Sequence, residues 1–167
     1  FSRAELMAMT KIALPSILQQ STVSIGMMLV QSVVNGFGSQ VLAGFSAAMR
    51  VEAIYSVPMA AIGNALSSYT AQNIGAGRQE RVAAGYHAAN GMVFVCAAVT
   101  CIVLECFSRE IVSMFLGKNG TAAAMAVGEG YLTFIGWFAG LLGFKMAVDG
   151  VLRGAGDVKL FTVANLV

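Results

Sequence analysis

The sequence predicts an all-α membrane protein, a polytopic transmembrane helix bundle, and three observations support that prediction. Residues 12–49 contain no charged side chain, although about 20 apolar residues of helix are enough to cross a hydrocarbon layer about 30 Å thick. Hydrophobic residues make up 57% of the chain and charged residues 11%, with a mean hydropathy of +0.76. The charged residues also cluster between uncharged segments, as expected when apolar helices alternate with loops.

Turn signals and charges divide the chain into four crossing helices and the start of a fifth. Asn35–Gln40 contains two glycines together with Asn and Ser, which favour a turn over a continued helix. After the third helix, Ile111, Met114 and Phe115 have the spacing of a short interfacial helix. We predict the long helices over residues 12–35, 43–73, 82–106, 121–151 and 158–167. The last is too short to cross a membrane, so residues 1–167 are predicted to be part of a longer membrane domain.

The distribution of lysine and arginine predicts the orientation, because short cytoplasmic loops are enriched in basic residues. One side of the predicted domain carries Arg3, Lys11, Arg78, Arg81, Arg153 and Lys159, and the other carries Arg109 and Lys118. We therefore predict a multi-pass protein of the cell inner (cytoplasmic) membrane. Its first segment and its loops at residues 75–81 and 153–159 would face the cytoplasm.

Small residues mark one face of the fourth predicted helix. They are Gly136, Gly140, Gly143, Ala147, Gly150 and Gly154. At about 100° per residue they fall within about 80° of one another around the helix axis. Small residues let membrane helices approach closely, where van der Waals contact replaces the missing hydrophobic driving force. This face is therefore predicted to contact a neighbouring helix.

A polar face runs along the first predicted helix. It contains Gln20, Ser24, Met27, Gln31 and Asn35. Amides in hydrocarbon are costly without hydrogen-bond partners, so this face should meet protein or water and not lipid. We favour a water-accessible cavity. The alternative is interhelical hydrogen bonding, worth about 0.6 kcal/mol per pair, as in a membrane scaffold that transports nothing.

No catalytic group, cofactor or metal site is predicted. Cys96, Cys101 and Cys106 recur every five residues, which places neighbours about 140° apart on a helix, so they cannot converge on one metal. Phosphate loops, nucleophile elbows and paired catalytic carboxylates are lacking, and an enzyme is not predicted. Lys145 and Asp149 lie four residues apart near the end of the fourth helix. We favour a snorkelling surface pair over a possible gating or coupling role.

Several motifs together resemble a known family. They are Lys11–Pro15, Ala48–Glu52, Pro58, Ala71–Gly77 with Arg81, and Gly150–Asp157. In this order and with this helix spacing, the chain resembles the second half of a multidrug and toxic compound extrusion (MATE) transporter. In that family two six-helix lobes face each other across a central cavity. The resemblance implies that residues 1–167 are a partial C-terminal lobe, half of a two-lobe transporter, containing its seventh to tenth helices and the start of the eleventh.

The resemblance implies a secondary active exporter that exchanges a Na⁺ or H⁺ gradient for outward movement of amphipathic, often cationic, organic compounds. Its partners would be these small-molecule substrates, membrane lipid and the N-terminal lobe, with no nucleic acid and no cofactor besides the coupling cation. To the polar face of the first helix we add Tyr55 and Asn64 as predicted cavity residues. The alternative is a lipid-carrier flippase of the same superfamily. A flippase predicts a more cationic cavity for a pyrophosphate, whereas the first helix is mostly uncharged.

The resemblance also bears on ion coupling. Many bacterial members carry one carboxylate in the first helix of this lobe and another in the fourth. Here those places hold apolar side chains near Val23 and Leu142, which offer neither an oxygen ligand nor a titratable group. We therefore predict that the principal coupling carboxylate lies in the first lobe, outside this chain.

Overall fold

Five helices make up the described part of the chain. The structure is a computed structural model that describes residues 2–117 and 120–166. The helices are α1 (Arg3–Gly36), α2 (Ser39–Gly75), α3 (Gln79–Leu116), α4 (Ala122–Ala155) and α5 (Val158–Leu166). Within the described residues there is no strand, so the predicted all-α class is confirmed. Lys118, counted above among the basic loop residues, and Val167, the predicted end of the fifth helix, lie outside the described residues.

Three of these helices contain segments long and apolar enough to cross a membrane, namely Ile17–Gly36, Gln79–Leu116 and Ala122–Ala155. α2 does not reach the same hydropathy, because it contains Arg50, Glu52 and a run of polar residues between 64 and 73. It is nevertheless an inner helix of the bundle, packed against both α3 and α4. Polar groups in α2 are therefore available to face protein and internal cavities.

The end of α3 differs most from the sequence prediction. The helix continues to Leu116 without a break, and the predicted separate interfacial helix is wrong. Val112 is fully buried beside Leu132 of α4, and Ile111 and Phe115 pack against the same cluster. Ile111 and Phe115, at i and i+4, share the packed face, whereas Met114 at i+3 is 73% exposed. That pattern does not distinguish a short helix on a membrane surface from the last turns of a long one.

Glycines with positive φ end two of the long helices and reverse the chain. Gly156 follows α4 with φ 74°, and its N–H and that of Asp157 donate to carbonyls of the last turn. Gly77 follows α2 with φ 70°, and the next N–H, of Arg78, donates to the Asn73 carbonyl at 2.8 Å. Glycine adopts this left-handed conformation without a steric penalty. The tight turn at Gly77 joins α2 to α3, and the turn at Gly156 joins α4 to α5.

α4 is the centre of the bundle, and its small-residue face contacts two neighbouring helices. Near Gly136 this face lies against Leu104 of α3, and near Gly150 it lies against the backbone of Gly63 in α2. The predicted close contact is confirmed, with two partner helices instead of one. The small size of the residues on this face allows α2 and α3 to pack closely on α4.

α1 lies at the side of this three-helix core and contacts only α2 and α5 among the described helices. Its spanning segment is 0% buried, and large apolar side chains such as Met28 are exposed on it, with Met28 at 72%. Apolar surface of this extent needs lipid or further protein to cover it. The polar face of α1 is consequently not sealed against the core by direct packing.

The predicted orientation can be measured with reporter fusions. The turn at Gly77 and the turn at Asp157 lie at one end of the bundle, because successive long helices run in opposite directions. Fusions after these two residues should report a cytoplasmic location, and a fusion after Gly120 should report the opposite side. A cytoplasmic signal from the Gly120 fusion would contradict the assignment of α3 as a spanning helix.

Candidate functional site

A polar pocket of about 390 Å³ lies between α1, α2, α4 and α5. It is lined by Gln19, Gln20, Ala60, Gly63, Asn64, Lys145, Met146, Asp149, Arg153, Phe161 and Asn165. Its volume falls within the range of about 300–1,000 Å³ that is usual for small-molecule sites. Four other grooves on the described residues are lined by uncharged side chains and are largely apolar. The pocket therefore combines charge with a concave shape in an otherwise apolar bundle.

Three side chains of the pocket form a closed hydrogen-bond network. The Lys145 ammonium donates to Asp149 Oδ2 at 2.9 Å and to Asn165 Oδ1 at 2.5 Å. The Asn165 amide in turn donates to Asp149 Oδ1 at 2.9 Å. Both carboxylate oxygens therefore accept hydrogen bonds, and the Asp149 side chain is 14% exposed, compared with 53% for Lys145. The network joins α4 to α5.

Arg153 lies one turn beyond Asp149 on α4 and lines the same pocket. Its guanidinium donates to Asn64 Oδ1 of α2 at 3.0 Å and lies 6.0 Å from the centre of the Phe161 ring. No carboxylate of the described residues is within ion-pair distance of it. Asp157, the carboxylate nearest in sequence, accepts a hydrogen bond from the Leu160 backbone at 3.0 Å. The positive charge of Arg153 is therefore not balanced in the described part of the pocket.

Comparison with known proteins identifies the family. The MatE family model matches residues 15–167, which include every residue that lines the pocket. The chain belongs to the MatE family. The resemblance predicted from the sequence motifs is thereby confirmed, and the spanning helices together with this membership make the chain part of a multi-pass membrane protein.

Two curated proteins of Bacillus subtilis (strain 168) are similar to this MatE chain. "Probable multidrug resistance protein YpnP" is 33% identical over 157 residues, which cover 94% of this chain and 35% of that protein. "Probable multidrug resistance protein YoeA" is 25% identical over 161 residues, which cover 96% of this chain and 34% of that protein. The chain thus spans about a third of the length of these relatives.

Some of the residues predicted from the sequence meet in the pocket of this MatE chain. They are Gln20, Asn64, Lys145 and Asp149. Arg153 and Asn165 are not among the predicted site residues. Residues 145, 149 and 153 recur every four positions and so share one face of α4, a pattern that indicates Arg153. Asn165 lies in the short helix α5, where no comparable pattern is available.

The other predicted site residues do not line the pocket. Ser24, Met27, Gln31 and Asn35 are exposed on α1, and the Ser24 hydroxyl donates to the Gln20 backbone carbonyl at 2.9 Å. Tyr55 packs in the core and borders a groove formed with α3. It is nine residues from Asn64, which places the two on opposite faces of α2 at about 100° per residue. The structure thus separates Tyr55 from Asn64.

A second polar cluster joins α2 to α4 in the half of the bundle away from the pocket. Glu52 accepts a hydrogen bond from the Tyr131 hydroxyl at 2.6 Å, and Phe45 packs edge-on against the Tyr131 ring with centroids 5.5 Å apart. The nearby Tyr55 hydroxyl is buried without a hydrogen-bond partner among the described residues. The donor that holds Glu52 is therefore the neutral Tyr131 hydroxyl.

Within residues 2–117 and 120–166, no three His, Cys, Asp or Glu side chains form a group suited to a metal ion.

Proposed function

We propose that this chain is the partial C-terminal lobe of a secondary active multidrug exporter. Membership of the MatE family supports this proposal, as do two relatives described as probable multidrug resistance proteins. These descriptions favour a transporter over an enzyme. The substrates would be amphipathic organic compounds, often cationic, moved across the cell inner (cytoplasmic) membrane in exchange for Na⁺ or H⁺.

The polar pocket is the observation that carries the proposal. Burying charged and amide groups in an apolar bundle is costly unless they meet water, each other or a ligand. Asn64, Lys145 and Arg153 are exposed on the described helices and come together at the pocket, where water or a ligand can reach them. Such a group is the expected composition of a substrate or ion pathway. In the full-length protein this pocket would form part of the cavity shared with the N-terminal lobe.

The arrangement of the helices suits alternating access. α1 and α5 contact each other and are only lightly attached to the core of α2, α3 and α4. The pocket lies along the boundary between these two groups of helices. Movement at that boundary would change access to the pocket without disrupting the tight contact of α2 with α4. Rocking of helix groups that opens a shared cavity to one side of the membrane and then to the other is the common mechanism of secondary transporters.

The flippase alternative requires a different electrostatic character. A pyrophosphate carries several negative charges and needs several unpaired cations around it. Lys145, Asp149 and Arg153 give the pocket one net positive charge, and the Lys145 charge is already paired with Asp149. The pocket therefore favours the exporter over the flippase.

Transport by the full-length protein in proteoliposomes tests the proposed function. An imposed Na⁺ or H⁺ gradient should drive movement of rhodamine 6G against its own concentration gradient, and collapse of the ion gradient with an ionophore should stop it. Liposomes without protein provide the control. Absence of gradient-driven movement of both rhodamine 6G and its free acid, rhodamine 19, under both ions would contradict the proposal.

Ion coupling should not depend on the carboxylates of this lobe. We expect Glu52→Gln and Glu129→Gln to retain gradient-driven transport, and Asp149→Asn to reduce it only modestly. A glutamine oxygen can still accept the Tyr131 hydrogen bond that Glu52 accepts. The measurement is the initial rate of rhodamine 6G transport at equal amounts of folded protein. Complete loss in any one variant, with dye binding intact, would place the coupling site in this lobe.

A further inference from the structure

We propose that Arg153 binds an oxyanion of the transported compound, so that the exporter selects amphipathic zwitterions and carboxylates over their purely cationic analogues. This inference rests on the proposed function and assigns a substrate class to the same pocket. Three features of the pocket support the inference. Both carboxylate oxygens of Asp149 already accept hydrogen bonds, Arg153 has N–H donors without a partner among the described residues, and amide groups surround them.

Asp149 is not available as a partner for a cationic substrate. Its Oδ2 accepts from Lys145 and its Oδ1 accepts from Asn165. A substrate ammonium would have to displace the internal lysine to reach this carboxylate. It would also approach a pocket whose described side chains carry one net positive charge. A purely cationic group therefore gains little from this part of the cavity.

Among the described residues that line the pocket, Arg153 is the cation without a carboxylate partner. A guanidinium has five N–H donors, and one of its nitrogens donates to Asn64 Oδ1. This bond, together with the Phe161 ring whose centre lies 6.0 Å from the guanidinium carbon, orients the group. A planar guanidinium held in this way matches a carboxylate or phosphate with two parallel hydrogen bonds. The neutral partners Asn64 and Phe161 orient the group without neutralising it.

The surroundings of Arg153 also suit an amphipathic carboxylate. Gln19 and Gln20 of α1 also line the pocket, and Met146 supplies apolar surface. Their amides can donate to a second oxygen or to another polar substituent. Arg153 therefore acts as a charged anchor, while the apolar body of the ligand extends toward the rest of the cavity.

The test compares two dyes that share one cationic fluorophore. Rhodamine 19 carries a free carboxylate, and rhodamine 6G is its ethyl ester, so the pair differs in the oxyanion and in one ethyl group. We expect the full-length protein in phosphatidylcholine nanodiscs to bind rhodamine 19 about tenfold more tightly than rhodamine 6G, the scale of one charge-assisted hydrogen-bond pair. Arg153→Gln should bring the ratio of the two dissociation constants close to one.

Two further variants guard against a folding artefact. Asn64→Asp keeps the shape of the side chain but places a carboxylate beside the guanidinium, so it should also abolish the preference for rhodamine 19. Lys159→Gln removes an exposed charge that does not line the pocket and should keep the preference. An unchanged ratio in Arg153→Gln, or equal affinities for the two dyes in the unmodified protein, would overturn the inference. Transport of neither dye by the unmodified protein would instead refute the proposed function.

A lipid phosphate is the other source of an oxyanion for Arg153, since α4 ends at Ala155. Dye binding is therefore repeated in nanodiscs that contain phosphatidylglycerol. Equal affinity for rhodamine 19 in both bilayers supports a site for the substrate. The other outcome is that phosphatidylglycerol abolishes rhodamine 19 binding to the unmodified protein, while Arg153→Gln binds the dye equally in both bilayers. That result would assign the site to a lipid headgroup and overturn the inference.

Discussion

Gly150→Ala should lower the thermal stability of the full-length protein in detergent, whereas Gly130→Ala on the same helix should not. A Cβ atom at Gly150 would overlap the backbone carbonyl of Gly63, and a Cβ at Gly63 would lie 2.6 Å from the Met146 carbonyl oxygen. Each glycine thus faces the backbone of the other helix. The neighbouring backbone has no rotamer to change, so α2 and α4 would have to move apart.

The expected loss follows from overpacking, which typically costs about 1–3 kcal/mol. Alanine also has a higher helix propensity than glycine by up to about 1 kcal/mol, which opposes that loss. Gly130 has no neighbouring atom within 4 Å of an added Cβ, so Gly130→Ala should show only the gain. Gly150→Leu should destabilise the protein further than Gly150→Ala.

The measurement is the Tm of the purified protein, defined by the fraction that remains monodisperse after heating. Gly140→Ala is an intermediate case, because the added Cβ would lie 3.6 Å from the Ala97 Cβ, an ordinary contact distance. Gly140→Ala should therefore fall between the other two alanine variants. Equal Tm values for Gly150→Ala and Gly130→Ala would show that α2 and α4 do not meet at backbone distance.

Helix packing around α4 could be predicted from the sequence because glycine spacing along one helix is a local property. The positions of Gly136 and Gly150 place them on one face whatever the partner is. The identity of the partner is not local. α4 contacts α3 through the first half of this face and α2 through the second, and nothing in the spacing distinguishes one neighbour from two.

The pocket could be predicted only in part, for a related reason. Gln20 and Asn64 stand out as amides within apolar helices, and Lys145 with Asp149 as charges within one. Their meeting depends on how four helices are arranged. Counting basic residues assigns Arg153 to a cytoplasmic loop. Because it is treated as a loop residue, its position on the same face of α4 as Asp149 is not used to predict the pocket.

The face of α1 that meets the aqueous cavity is not selected by packing against the described helices, since the spanning segment of α1 is 0% buried. The sequence pattern selects this face instead, because unpaired amides avoid hydrocarbon. Gln20 lines the pocket, and Gln31 lies eleven residues further along on the same face at about 100° per residue. Leu29, nine residues from Gln20, lies on the opposite face. A cavity on one side of α1 and lipid on the other therefore predict a one-sided pattern of accessibility.

Single cysteines in an otherwise cysteine-free full-length protein test this pattern. Gln20→Cys, Ser24→Cys and Gln31→Cys should react rapidly with a membrane-impermeant, water-soluble thiol reagent in liposomes, and a saturating substrate such as rhodamine 6G should slow the reaction. Ile25→Cys and Leu29→Cys should react slowly and without protection, because a thiol in hydrocarbon forms little thiolate. Equal reactivity around the helix would mean that water surrounds α1. No reactivity at any position would mean that the polar face is buried against other helices, as in a scaffold that transports nothing.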